Sequence, residues 1–193
     1  MAGLSQASER LARLLGVEAA RLRELDPAVA DTLARRLEEL EAAAATDELT
    51  GLLRRGTGLA ALEREVRRAQ RQGDDRLTVA FVDVRSLKAV NDRDGHAGGD
   101  ALLQALALSL RQGLRAYDVV VRWGGDEFVV GLVADRTQAE AIMARLAESF
   151  VAATAHHFDV GMAQPKPGES PADLIARADA DLYERRRGSG RER

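Results

Sequence analysis

The chain has 193 residues, 46% hydrophobic and 31% charged, which fits one globular domain with room for an appendage rather than a disordered segment. Its formal net charge of −3 gives no argument for nucleic acid as a partner, and the lack of cysteine excludes disulfides and thiolate metal sites. No apolar stretch approaches the roughly 20 residues of a membrane span, and the charged start from Met1 to Arg23 lacks a signal-peptide core, so a cytoplasmic protein without membrane contact is expected.

Residues 1 to 46 are rich in Ala, Leu, Arg and Glu. Leu4, Leu11, Leu14 and Leu15 predict one short helix. Asp26 can cap a second, Pro27 suits its first turn, and Val29, Leu33, Leu37, Leu40 and Ala44 continue it. The spacing of three and four resembles a coiled-coil seam. A segment this short cannot build a sizeable sensor core, so a helical hairpin or coiled-coil-like segment that dimerises, or docks a protein partner, is expected.

At Asp47 the character changes. Asp47 to Leu52 reads as a turn, Thr57 to Gln72 as a helix and Gly73-Asp74-Asp75 as a loop. Leu77 to Val84 is an almost unbroken β-branched and apolar run, the pattern of a buried central strand. A helix from Gly98 to Leu114 follows, then a strand, a turn at Gly124-Gly125 and a second strand. Thr137 to Ala152 predicts a helix, His156 to Ala163 a short strand, and Pro171 to Arg186 the last helix. The order α-β-α-β-β-α-β-α implies an α+β fold with a mostly antiparallel sheet.

Chemistry concentrates at a few places. Arg122-Trp123-Gly124-Gly125-Asp126-Glu127-Phe128, between valine-rich runs, describes a tight hairpin carrying two acids at its tip. Its glycines permit positive backbone dihedrals and leave room for a bulky ligand. Its acids are hard oxygen ligands suited to Mg²⁺, although Gly-Gly-Asp alone is also an ordinary turn. The buried strand ends at Asp83, on the opposite face from Val82 and Val84. Asn91 offers a donor and an acceptor and Asp100 only acceptors, a pair that could read the edge of a guanine; each alone also suits a turn or a helix cap. No Ser–His–Asp or Cys–His arrangement competes, and His156-His157 on a short strand reads as structural.

Asp47-x-Leu-Thr-Gly-Leu, Asp83-x-x-x-x-Lys-x-x-Asn-Asp, Gly95-His96-x-x-Gly-Asp100, Gly124-Gly125-Asp126-Glu127-Phe128 and Ala178-Asp179-x-x-Leu-Tyr183 follow one another in order. Together they resemble the successive motifs of the GGDEF family of diguanylate cyclases over residues 47 to 191, implying a GGDEF domain at 47–193 after the helical segment 1–46. The resemblance implies a nucleotidyl cyclase and polymerase-palm-like sheet with flanking helices. It also implies condensation of two GTP into cyclic di-GMP with release of two pyrophosphates, by a homodimer in which each subunit presents one GTP. Asp83, Asp126 and the Val84 carbonyl would ligate Mg²⁺, and Glu127 would be a second-metal ligand or activate the 3′-hydroxyl. Two Mg²⁺ per half-site are implied, with Mn²⁺ able to substitute. Asn91 and Asp100 would hold guanine, Gly124 and Gly125 would admit the nucleotide, and Lys88 and Arg186 would meet the triphosphate. Arg115-Ala116-Tyr117-Asp118 matches the family's RxxD inhibitory site, so Arg115 and Asp118 would bind the product.

The chain departs from the family pattern at four places. Arg85 replaces the second acid of Asp-x-Asp, Leu87 replaces a Phe, Asp159 replaces a Ser, and the ending becomes Arg185-Arg186-Arg187-Gly188-Ser189-Gly190 with Arg191 beyond. An alternative reading is therefore a catalytically degenerate domain that binds GTP or cyclic di-GMP as a sensor or interaction module. The two readings part at Arg85.

Overall fold

The computed structural model describes residues 6–15, 17–22, 24–73 and 76–188, with backbone only at 41–44 and 72. Expectations for Leu4, Asp74, Asp75, Ser189, Gly190 and Arg191 lie outside the described residues. The chain divides into two compact units, residues 1–45 and 46–193.

In the first unit, α1 (Gln6–Leu15) and α2 (Pro27–Ala45) flank a 3₁₀ turn at Ala19–Leu22. Asp26 caps α2 as expected: its Oδ1 accepts from the Ala28 N–H at 2.8 Å. The two helices pack as a hairpin around Leu11, Ala30 and Ala34, with Leu14, Leu22, Leu25 and Leu37 alongside. The expected stripe on α2 is thereby divided. Leu37 joins the hairpin seam, whereas Val29, Leu33 and Leu40 are exposed. The seam follows the small Ala30 and Ala34, which let the helices approach closely. Among the described residues no helix is long and apolar enough to cross a membrane.

The second unit holds a five-stranded sheet in the order β1-β3-β4-β2-β5. Its strands are β1 (Leu53–Arg54), β2 (Thr78–Val84), β3 (Val119–Arg122), β4 (Glu127–Leu132) and β5 (Phe158–Ala163). Among the described residues only the β1–β3 pair is parallel. The short β1 was not predicted; two residues carry no periodicity to read. Helices α3 (Arg55–Gln72), α4 (Leu87–Gly113), α5 (Arg136–Thr154) and α6 (Pro171–Gly188) complete the unit.

β2 is buried at every position and hydrogen-bonded on both edges, as its apolar run requires. Alternation divides its side chains between two cores. Ala80, Val82 and Val84 join α4 and α5 residues such as Leu103, Leu106 and Phe150. Val79 and Phe81 join α3 and α6 residues such as Leu62, Val66, Leu174 and Leu182. Asp83 therefore ends β2 on the α6 side.

One glycine fixes how α6 lies on the sheet. A Cβ on Gly161 of β5 would fall 2.1 Å from the Leu182 nitrogen and 2.3 Å from the Ala178 carbonyl oxygen. Backbone meets backbone there, and Arg186 follows Leu182 by one helical turn. Gly161→Ala is expected to cost about 1–3 kcal/mol by forcing the two backbones apart. Urea denaturation checks it, and an unchanged midpoint would show that α6 does not depend on this contact.

Candidate active site at the end of the central strand

The hairpin expected at Gly124-Gly125 joins β3 to β4. The Trp123 and Gly124 N–H groups both donate to the Glu127 carbonyl, at 2.8 and 3.2 Å, which closes the turn. The Val84 N–H donates to the Asp126 carbonyl at 3.0 Å, tying the tip to the end of β2. Neither tip glycine uses a positive φ, contrary to the reading of the turn from sequence. Their value is space. A Cβ on Gly124 would lie 2.7 Å from Glu127 Oε2, while Gly125 faces open room.

A brace behind the hairpin was not assigned from sequence. Arg122 Nη1 donates to Asp47 Oδ1 at 2.9 Å, and Nη2 donates to the Gly125 carbonyl at 2.9 Å. Asp47 Oδ1 also accepts from the Thr50 N–H and hydroxyl. Burial pushes the Asp47 carboxyl up, but the hydrogen bonds from Thr50 and Arg122 outweigh it and hold the group below its usual range. The Arg55 guanidinium lies 4.4 Å from the Trp123 ring centroid and steadies the other side of the turn. Asp47 and Arg122 are 75 positions apart, so nothing local signals their pairing.

Register brings acids together on one face of the sheet. Asp83 stands directly opposite Glu127 of β4 and directly opposite Asp159 of β5. Like charges so placed repel. Arg186 of α6 answers them: Nη2 donates to Asp83 Oδ1 at 2.6 Å and Nε to Asp159 Oδ2 at 2.8 Å. Arg85 holds the other oxygen of Asp159, Oδ1, which accepts from Nε at 2.7 Å and also from Nη2. Burial pushes the Asp159 carboxyl up, yet the bonds from Arg85 and Arg186 hold it below its usual range. Burial lowers Arg186, and its bonds to Asp83 and Asp159 more than reverse that. Sequence reading treated Asp159 only as a departure in a strand. Its role follows from the β2–β5 register, which the sequence does not print.

Among the described residues no three acids or histidines converge closely enough to form a ready metal cluster. The donor chemistry nevertheless suits a hard divalent cation: carboxylates on Asp83, Asp126 and Glu127, with the backbone carbonyl of Val84 at the end of β2.

Asn91 and Asp100 both lie on α4, which breaks at Gly95 (φ 73°, ψ 175°). Only glycine adopts that conformation without strain. The break sets Leu87 to Asp94 apart as a separate helical piece before the helix predicted from Gly98. It also folds Asn91 back over Gly99, where a Cβ would sit 2.0 Å from Asn91 Oδ1. Asn91 thus reaches the neighbour of Asp100. Lys88 is exposed on the first turn of α4.

Beyond the end of α4, Asp118 is engaged with backbone. Its Oδ2 accepts from the Arg115 N–H at 2.9 Å and its Oδ1 from the Val133 N–H at 3.0 Å. The exposed Arg115 side chain donates to the Tyr117 hydroxyl at 2.5 Å and lies over the Tyr117 ring. The two residues are therefore held side by side at the surface.

The family model described as diguanylate cyclase, GGDEF domain, matches residues 44–193. Diguanylate cyclase DgcP of Pseudomonas aeruginosa is 36% identical over 166 residues, 81% of this chain but 24% of DgcP, so the chain spans about a quarter of that relative. A microbial GGDEF domain solved with cyclic di-GMP is 36% identical, with a TM-score of 0.68 over 76% of this chain and 95% of that one. Diguanylate cyclase SiaD of Pseudomonas aeruginosa, solved with its activator SiaC, is 31% identical, with a TM-score of 0.69 over 94% of this chain and 72% of that one. The five ordered motifs, the sheet and these relatives agree, and the chain belongs to the GGDEF family of diguanylate cyclase domains.

Proposed function

We propose that the protein is a diguanylate cyclase, joining two GTP into cyclic di-GMP and releasing two pyrophosphates as a cytoplasmic homodimer restrained by its product. The observation that carries this reading is the hydrogen bond from Val84 to Asp126, which ties an intact acidic hairpin to the strand end bearing Asp83. Homology to proteins named diguanylate cyclase supports the same reading.

In each half-reaction a 3′-hydroxyl oxygen bonds to the α-phosphorus of the other GTP, the bond to the bridging oxygen breaks, and pyrophosphate leaves. Such phosphoryl chemistry depends on positioning and charge neutralisation rather than on a protein nucleophile. Asp83, Asp126, Glu127 and the Val84 carbonyl would hold Mg²⁺, or Mn²⁺ in its place, which would acidify the attacking hydroxyl and neutralise the leaving group. Glu127 accepts the hydroxyl proton directly or through water. Asn91 and Asp100 hold the guanine edge, and Gly125 leaves room for the nucleotide beside the hairpin. Lys88 and Arg186 serve the triphosphate. Arg115 and Asp118 bind cyclic di-GMP, with Arg115 already oriented at the surface by Tyr117. The N-terminal hairpin takes a second copy or a protein partner through its exposed Val29, Leu33 and Leu40.

One observation favours the alternative of a non-catalytic GTP or cyclic di-GMP sensor: the Arg186–Asp83 ion pair puts a protein cation on a proposed metal ligand. Purified protein incubated with GTP and Mg²⁺ should yield cyclic di-GMP by chromatography. Tight nucleotide binding without product would favour the sensor.

Asp126→Ala should lower turnover at least about a hundredfold, equivalent to about 2.7 kcal/mol of barrier. Turnover within a few-fold of wild type would show that Asp126 is not a ligand. Arg115→Ala should keep initial turnover and raise the cyclic di-GMP concentration needed for inhibition by about tenfold or more, the loss of one charge-assisted contact. An unchanged inhibition curve would remove Arg115 from the product site.

A further inference from the structure

The Arg186–Asp83 contact belongs to a longer chain of charges. Arg85 holds Asp159, Asp159 holds the Nε of Arg186, and the Nη2 of Arg186 holds Asp83. The Arg186 and Asp83 side chains are each only 10% exposed, so neither charge is neutralised by bulk water. Arg85 and Asp159 are two of the positions at which the chain departs from the family pattern. They are ion-paired with each other.

Asp83 cannot give the same oxygen fully to Arg186 and to a metal. Asp159, however, grips Arg186 by a different nitrogen, so Arg186 can release Asp83 without leaving the site.

We propose that Arg186 is the resident counter-ion of Asp83, exchanged for the divalent cation on metal binding, and that the Arg85–Asp159 pair is the positioning anchor that retains Arg186 throughout the exchange. The proposal rests on Asp83 being a metal ligand. Metal affinity is then set by competition: the cation must displace a hydrogen-bonded guanidinium. The same displacement releases the Arg186 Nη2 donor from Asp83, where a polyphosphate oxygen can accept it. Metal and polyphosphate would therefore bind with positive coupling.

The test uses Mn²⁺ alone, titrated into the full chain without nucleotide, with free Mn²⁺ read by electron paramagnetic resonance. Arg186→Gln should bind Mn²⁺ roughly tenfold or more tightly than wild type, since an opposite charge at this range shifts a carboxylate equilibrium by that much. Arg85→Gln removes an equal charge but no contact with Asp83, and should gain clearly less. Asp83→Asn should abolish the site. Equal gains from Arg186→Gln and Arg85→Gln, or no gain from Arg186→Gln, would overturn the exchange while leaving the metal site standing. No Mn²⁺ binding to wild type or Arg186→Gln would overturn the metal-site reading and the exchange with it. Wild-type protein gives an independent reading if a variant misfolds. Arginine side-chain ¹⁵N–¹H resonances of Arg186 should shift with the Mg²⁺ titration at the same midpoint as the carboxylate signal of Asp83. Saturation of Asp83 with Arg186 unmoved would overturn the proposal.

Discussion

The second unit is organised around a row of like charges that the sheet register makes unavoidable. Glu127, Asp83 and Asp159 occupy directly opposed positions on β4, β2 and β5, on the face covered by α6. Repulsion across neighbouring strands and burial of Asp83 both oppose this arrangement. It stands because α6 delivers a guanidinium into the row. Gly161 permits backbone contact between β5 and α6, Leu182 and Ala178 make that contact, and Arg186 follows one turn later. The packing of a glycine against a helix thus sets the electrostatics of the site. Breaking a buried pair of this kind costs about 3–5 kcal/mol, enough to make Arg186 an architectural residue.

A second constraint acts on the hairpin from behind. Arg122 joins Asp47, just after the start of the unit, to the Gly125 carbonyl at the tip. The first turn of the unit and the acidic tip are therefore mechanically connected through one side chain. That connection gives the position of the Asp47 turn a direct influence on where Asp126 and Glu127 are held.

Much of this was legible in the sequence where one residue's environment is set locally. The Leu77–Val84 run could only be a buried strand, and Asp26-Pro27 could start a helix without reference to anything distant. The valines around Gly124-Gly125 marked the hairpin, and the ordered motifs marked Asp83, Asn91, Asp100 and Asp126 as a set. Long-range pairing was not legible. Asp159 looked like a lost serine and Arg85 like an intruding cation, because only the β2–β5 register shows that each is the other's partner. The helical piece from Leu87 to Asp94 was not assigned from sequence, since Gly95 cuts it off from the longer helix. On α2 the larger leucines suggested the seam, but the small Ala30 and Ala34 define it.

If the end of β2 and the tip of the β3–β4 hairpin form one cation site, with Arg186 as its occupant before metal arrives, crystals grown with Mn²⁺ and a GTP analogue whose α–β bridge cannot be cleaved will show it by anomalous diffraction. An anomalous peak is expected within ligand distance of the Asp83 and Asp126 carboxylates, with the Arg186 guanidinium turned from Asp83 to the triphosphate and still held by Asp159. A peak that neither carboxylate touches, or a metal bound with the Arg186–Asp83 pair intact, would contradict it.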